Sequence, residues 1–443
     1  MTSMKKAAFG IALALVYSII VSRSGYADGA RPDLTGLVKA KQGEPVPNAM
    51  VIIAAAGPRQ GNSPLCPGLY PDCDKRAVTD ASGKFRIESL DPDFSFAVRV
   101  VAPGYWPFLK TDILPENGSV EMSIDPRDLS KIPPERHARG RIMYPDGNPV
   151  ARATLDVNGE EEGSVTHWGG ISVDGMVITD ANGEFHIVGP KPFIAVHAVV
   201  EAPGLAKRWV RLEPGKTALV RMTNGATVSG RLLFKGKPLA DIRLGASTVN
   251  RTCGIDLMGF RATTGNDGRF TFENIPPNTK FQIFSMMDSA KTAGGALRLE
   301  FDSVRDNGTV DLGTIQAQPV HRVSGRVTLA DGKPVPPQTR LLFCSSNTWD
   351  FALVTLDKEG RFEVGGVPEE QVRLTLGLNG YRFSEKNPSL DSNRRGLIGR
   401  VTGDIANLTI LLEPGNPVPY EELERLSYED RKKRNEMPLK SVQ

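Results

Sequence analysis

Polar and apolar residues alternate in short runs along most of the chain. In Lys84-Phe85-Arg86-Ile87 every second residue is apolar, and the same holds in Glu184-Phe185-His186-Ile187, Arg269-Phe270-Thr271-Phe272 and Arg361-Phe362-Glu363-Val364. A period of two lines one face of a strand, so each run predicts a half-buried β-strand. A turn phrase precedes each run: Thr79-Asp80-Ala81-Ser82-Gly83, Thr179-Asp180-Ala181-Asn182-Gly183, Gly265-Asn266-Asp267-Gly268 and Asp357-Lys358-Glu359-Gly360. Asp and Asn bond their own backbone and Gly accepts positive φ, so these clusters are turns for a physical reason. One turn-and-strand unit is therefore written four times.

Two more phrases recur in the same order. A strand carrying Gly36, Gly140, Gly230 or Gly325 is followed by a turn, a proline (Pro45, Pro149, Pro238, Pro334) and a second strand, and these glycines are 104, 90 and 95 residues apart. After the Phe strand come Phe96-Ala97-Val98-Arg99-Val100 with Ala102-Pro103-Gly104-Tyr105, and Val196-His197-Ala198-Val199-Val200 with Ala202-Pro203-Gly204-Leu205. Both read as the return strand of a hairpin. A last strand closes each unit, giving about seven strands in about 100 residues, the size of a β-sandwich. With 45 Gly and 33 Pro in 443 residues, the expected fold is all-β: four tandem seven-stranded antiparallel sandwiches at residues 29–126, 135–223, 224–317 and 318–414. The connections between units are short, which predicts domains in series like beads. The charged tail 415–443 holds a helix candidate, Tyr420-Glu421-Glu422-Leu423-Glu424-Arg425-Leu426.

Together the phrases read G-x-V, G-x-P-x-x-x-A, T-D-x-x-G-x-F-x-I and V-x-A-x-G-Y. In this the chain resembles the carboxypeptidase regulatory-like domain, a transthyretin-like sandwich grouped with the carbohydrate-binding-like folds. The likeness is strongest in the first two repeats and partial in the others, and it covers most of Leu34 to Leu412. It implies an Ig-like module found beside peptidases, outer-membrane receptors and surface proteins. The motif residues are turn and core residues and carry no catalytic set, and no peptidase domain accompanies them here.

The N-terminus changes the picture of where the protein works. Lys5 and Lys6 precede an apolar run from Ala7 to about Val21, and Gly25-Tyr26-Ala27 offers small residues for cleavage, so residues 1–27 read as a signal peptide. The run is about 15 residues, short of the roughly 20 that span a bilayer, and nothing later is apolar enough. Export to the periplasm or cell surface is expected, with no integral membrane domain after cleavage. The chain has 54 basic and 51 acidic residues; the leader removes Lys5, Lys6 and Arg23, leaving the mature chain balanced. A neutral protein has no general field for nucleic acid or an anionic membrane.

Candidate chemistry is sparse. Cys66 and Cys73 bracket a turn-rich stretch and are expected to form a disulfide in an exported protein, whereas Cys253 and Cys344 lie in different repeats. No C-x-x-C or H-E-x-x-H spacing occurs, no G-x-S-x-G elbow and no phosphate loop, so no metal, cofactor or catalytic residue is expected. His186 and His197 would face each other if their strands made a hairpin, with His167 as a third imidazole, but two histidines on a sheet surface are an ordinary outcome. Asp80, Asp180, Asp267 and Asp357 read as turn formers rather than calcium ligands.

The segments between the second strand and the turn differ in every repeat, and a shared scaffold with private loops is how sandwiches usually carry recognition. The second such segment holds His167-Trp168 and the fourth Trp349-Asp350, which makes Trp168, Trp349, His167 and Asp350 the candidate ligand contacts. The alternative is that each indole folds back over its own sandwich. The reading is of an exported, non-catalytic binding or structural protein whose partner is a glycan or an envelope protein. An accessory subunit of a separately encoded peptidase or transporter is the competing class, and an extracellular hydrolase the third.

Overall fold

The computed structural model describes residues 31–169, 171–249, 257–291, 294–390 and 396–416. The leader, Cys253 and the tail helix candidate lie outside the described residues. The chain is an all-β protein of stacked sheets, as expected, and the one α-helix among the described residues is the single turn Met287–Ala290 in the third repeat.

The first sandwich contains β1 (Leu34–Ala40), β2 (Met50–Pro58), β3 (Arg76–Val78), β4 (Lys84–Ile87), β5 (Phe94–Val101), β6 (Phe108–Ile113) and β7 (Val120–Ile124). They form a three-stranded sheet in the order β4-β1-β7 and a four-stranded sheet in the order β3-β2-β5-β6. β1 is antiparallel to β4 but parallel to β7. The other repeats copy this arrangement. His137–Met143 lies between Glu184–Val188 and the parallel Thr217–Arg221, Ala226–Phe234 between Arg269–Ile275 and Thr309–Gln316, and Gln318–Leu329 between Arg361–Pro368 and Ile405–Pro414.

Two details within this fold differ from expectation. The sheet that holds the first strand of each unit is mixed rather than purely antiparallel, because the first and last strands of each unit run side by side in the same direction. The Phe strand and its successor also do not make a hairpin: β4 sits in the small sheet and β5 in the large one. The six residues between them, which include the fully buried Leu90, cross from one layer to the other. His186 and His197 therefore lie in different sheets, and His186 Nδ1 instead stands 2.9 Å from Nε2 of His137 on the neighbouring strand.

The repeated residues now have physical causes. Each motif glycine is paired with its motif phenylalanine: Gly36 with Phe85, Gly140 with Phe185, Gly230 with Phe270 and Gly325 with Phe362. All four phenylalanines are buried. In the first three repeats the ring lies over the glycine, where an added Cβ would come 2.4–2.8 Å from ring carbons. The turn Asp is equally accountable, since Asp80 Oδ1 accepts from the Ser82 and Lys84 amides at 2.8 and 2.9 Å, and Asp180 and Asp357 do the same. The buried threonine before it joins the turn to the second strand, as when Thr179 Oγ1 accepts from the Ala153 amide at 2.9 Å and donates to the Val150 carbonyl at 2.7 Å. In the fourth repeat Leu356 replaces that threonine, and Thr339, at the position of Ala153, donates to the Pro336 carbonyl at 2.7 Å.

The sandwiches are not beads. The described residues fall in one compact unit, because outer sheet faces are themselves covered by neighbouring repeats. β2 is buried on both faces over Met50 to Ile53, which is the mark of a strand packed from two sides. Met50, Ile52 and Val101 of the first repeat pack on Met176 and Ile178 of the second. Val199 and Trp209 of the second pack against the core of the third, and Lys207 Nζ donates to the Met258 carbonyl at 3.1 Å. The third meets the fourth through Arg298, which pairs with Asp350 and Glu370. The fourth then returns to the first, where Leu342, Phe351 and Leu353 pack on the first core. At that seam Arg340 donates from its amide to the Asn62 carbonyl at 2.8 Å and from Nη1 to the Gln60 carbonyl at 3.0 Å. Arg340 is 2% exposed, so its side chain is enclosed by the contact it makes. The contacts close a cycle: first to second, second to third, third to fourth, fourth to first.

Candidate functional site

The private segments expected to carry recognition have different fates. In the first repeat the segment is ordered by ions rather than by a covalent link. Asp72 is 1% exposed and accepts from Arg31 Nη2 at 2.7 and 2.8 Å, from Lys75 Nζ at 2.8 Å and from the Asp91 amide at 2.6 Å. The expected Cys66–Cys73 bond is not formed here: Cys66 is exposed, Cys73 is half-buried, and both stand as thiols. Cys73 Sγ donates to the Pro67 carbonyl at 3.3 Å, and burial pushes its thiol up to about 12. Cys73, Leu69 and Tyr70 pack with the first core beside the strands of the fourth repeat, so this segment is part of the seam between them.

In the fourth repeat the segment lies in the seam with the third. Asp350, expected as a ligand contact, is 1% exposed. It accepts from Arg298 Nη2 at 3.1 Å and from the Met287 amide at 3.2 Å. Arg298 also grips Glu370 through Nε and Nη2 at 2.8 and 2.9 Å. Burial pushes the Asp350 carboxyl up to about 6, although the Arg298 guanidinium and the Met287 amide pull the other way. Gln282 Nε2 of the third repeat donates to the Asn347 carbonyl of the fourth at 2.8 Å. Asp350 thus joins two sandwiches instead of facing a ligand, and half-buried Trp349 sits next to it in the same segment.

The second repeat differs because its segment projects a hairpin. Trp168 ends the edge strand Val165–Trp168 and stands opposite Gly159 on Thr154–Glu162. The indole lies over that glycine, where a Cβ would come 2.6 Å from the ring. It meets His197 at 5.0 Å between ring centroids, and His197 stacks on Trp209 at 5.2 Å. Beside this row, Glu161 accepts from Arg211 Nε and Nη2 at 2.7 Å each and lies 2.7 Å from His197 Nε2. Arg211, and after it His197, holds the Glu161 carboxyl down to about 2. His197 Nδ1, on the far side of the ring from Glu161, is buried and without a hydrogen-bond partner. Exposed His167, next to Trp168 along the strand and so on the opposite face, lies 3.5 Å from Glu162, which also pairs with Lys191 at 2.7 Å.

The structure therefore brings His167 and Trp168 together on one hairpin and places Trp349 and Asp350 elsewhere. Trp209, Glu161 and Arg211 escaped sequence reasoning, and His197 entered it only as a partner of His186. Their signal was the outward half of alternating strands, which reads like any solvated face until the sheet is assembled. A permanently ionised carboxylate cannot donate a proton, so Glu161 suits fixed recognition better than acid catalysis. His197, at the centre of the row, is buried, so the half-buried Trp168 and Trp209 and the Glu161–Arg211 pair are what the row offers a polar ligand. Among the described residues no three His, Cys, Asp or Glu side chains are placed to hold a metal ion, and no helix is long and apolar enough to cross a membrane.

Comparison with known proteins gives one family match and several distant folds. The model of the carboxypeptidase regulatory-like domain matches residues 33–125. No curated protein matches the chain. Among solved structures, the Bacillus anthracis TIE protein is similar at 10% identity, covering 89% of this chain and 76% of that one with a TM-score of 0.19. A Streptococcal ancillary pilin shares 10% identity over 63% of this chain and 99% of its own, with a TM-score of 0.23. The minor pilin GBS52 of Streptococcus agalactiae shares 14% over 44% of this chain and 99% of its own, with a TM-score of 0.22. The family match spans β1 to β7 with its motif glycine, turn and buried phenylalanine, so the first sandwich of this chain matches the carboxypeptidase regulatory-like domain.

Proposed function

We propose that this chain is an exported, non-catalytic binding protein whose four sandwiches form one scaffold, and that it holds a glycan or an envelope protein against the outer face of the second sandwich. The observation that carries this reading is the row Trp168, His197, Trp209 beside the Glu161–Arg211 pair. It joins a half-buried indole at the edge to charges fixed by their own hydrogen bonds, on a sheet anchored at its other end, where Trp209 packs on the third repeat. The private segments of the first and fourth repeats serve as seams, which concentrates recognition on the hairpin that projects. Export is supported by the basic, apolar and small-residue order of residues 1–27.

The test is purification of the mature protein from its native envelope, followed by glycan-array and pull-down binding of the parent and of Trp168→Ala. Binding lost in Trp168→Ala with an unchanged melting temperature supports the reading. If the variant keeps every ligand of the parent at full strength, the assignment of the site is overturned. A stoichiometric peptidase or transporter in the purified material would move the chain to the accessory-subunit class.

A further inference from the structure

A second surface, in the seam between the third and fourth repeats, has the form of a binding site. The two sandwiches border an open cleft of about 730 Å³, within the ~300–1,000 Å³ typical of small-molecule sites. One wall is the third repeat, with Gln282 from Lys280–Ser285 and Glu300 from Arg298–Asp302; the other is the fourth, with Asn347, Gln371 and Arg400, and Gln318 joins them. Arg298, 2.8 Å from Glu370 and 3.1 Å from Asp350, holds the walls together below. The Gln282 bond to the Asn347 carbonyl ties them a second time. The cleft is therefore rigid before any ligand arrives, which removes an ordering cost from binding.

Its chemistry selects a ligand class. Four primary amides each carry donors and an acceptor, Arg400 offers donors, and Glu300 and Glu369 offer acceptors. Arg298 and Glu370 also line the cleft but are paired with each other, so the signs are mixed, two basic against three acidic side chains, and no strong net field favours an anion or a cation. No aromatic side chain is among the lining residues, and the apolar ones are Ile283, Leu299 and Pro319, too few for an apolar side chain to prefer the cleft to water. A dense set of two-way hydrogen-bonding groups without a dominant charge matches the hydroxyls of a neutral sugar chain. We infer that the cleft between the third and fourth repeats binds a segment of an uncharged glycan. This rests on the reading of the chain as a binding protein but on a different surface from Trp168.

The test uses the full mature chain with three neutral probes, maltohexaose, cellohexaose and chitohexaose, and a short uncharged Ser/Ala peptide, followed by saturation-transfer NMR. Gln318→Trp fills the cleft from the connecting segment, and Arg400→Ala removes wall donors; neither replaces Arg298, Asp350 or Glu370. At least one hexasaccharide should bind, and each cleft variant should weaken it about tenfold or more while melting like the parent. Trp168→Ala should leave that binding unchanged. Absence of hexasaccharide binding up to about 10 mM, or binding of the peptide alone, overturns the inference. Binding that falls only in Trp168→Ala overturns it as well and leaves the proposed function standing, whereas binding that falls only in the cleft variants supports it and bears on this second surface alone.

Discussion

Replacing Arg298 by Met keeps most of its aliphatic stem in place and removes the guanidinium from the seam between the third and fourth repeats. Asp350, 1% exposed, and Glu370, 8% exposed, are then left buried without their shared cation. Breaking a buried pair from one side costs about 3–5 kcal/mol, because the remaining charge has lost its partner but not its burial. The cost depends on pH in a direction the structure fixes. In the parent the Asp350 carboxyl is raised from 3.8 to about 6, so the folded protein holds that proton more tightly than the unfolded chain. Its contribution therefore favours the fold most below about pH 4 and is lost as pH rises to about 6, roughly 3 kcal/mol in all. Without Arg298 the same carboxyl is raised further, so the variant should lose about 1–3 kcal/mol more at pH 8 than at pH 5. Urea unfolding at the two pH values measures this, and hydrogen exchange at the Met287 amide, which donates to Asp350, reports the seam directly. A loss below about 1 kcal/mol, or an equal loss at both pH values, would show that the ion triad does not join the two sandwiches.

Other perturbations address the repeat motif and the cysteines. Gly140→Ala puts a Cβ 2.3 Å from the Ala218 carbonyl oxygen and 2.8 Å from the Phe185 ring and should cost about 1–3 kcal/mol by calorimetry, whereas Gly57→Ala, with no atom within 4 Å, should cost under about 1. Equal melting of the two would remove the pairing of glycine and ring as the reason for the motif. Thr179→Val deletes a fully buried hydroxyl with two hydrogen bonds and should lower stability by about 1–3 kcal/mol; a neutral result would mean the turn is not held through it. In reduced native protein Cys66 should alkylate far faster than Cys73, whose thiol is pushed up to about 12, and both should react at similar rates in urea. Oxidation in an exported setting is proposed to join Cys66 to Cys73, and a non-reducing peptide map of protein from the native envelope with both as free thiols would exclude it.

The repeats and the kind of fold were open to reading from the chain because they depend on local chemistry. Alternation by two, Asp-x-x-Gly turns and the fourfold return of one glycine and one phenylalanine are each visible in a short stretch of residues. Even the compensated fourth repeat left a trace, Leu356 where the others carry threonine and Thr339 where the others carry an apolar residue. The partner of each glycine was not visible, since Gly36 meets Phe85 only when β1 and β4 pair. The same limit hid the layer crossing after the phenylalanine strand, because alternation shows which face of a strand is apolar but not which sheet it joins.

The candidate contact residues divide along the same line. Trp168 and His167 stand out in a segment that differs between repeats, and the fold places both on the edge strand of one hairpin. Asp350 was singled out for the same reason, yet packing covers it with Arg298, 52 positions earlier in the chain and in another repeat. His197, Trp209, Glu161 and Arg211 are ordinary outward residues of three strands until those strands stand side by side. Four sandwiches and their turns follow from interactions that each segment makes with its near neighbours, and so they could be read along the chain. The covering of the outer faces, the return of the fourth sandwich to the first and the choice of which polar residues stay outward emerge only on packing, because they depend on a match between surfaces that no single segment contains.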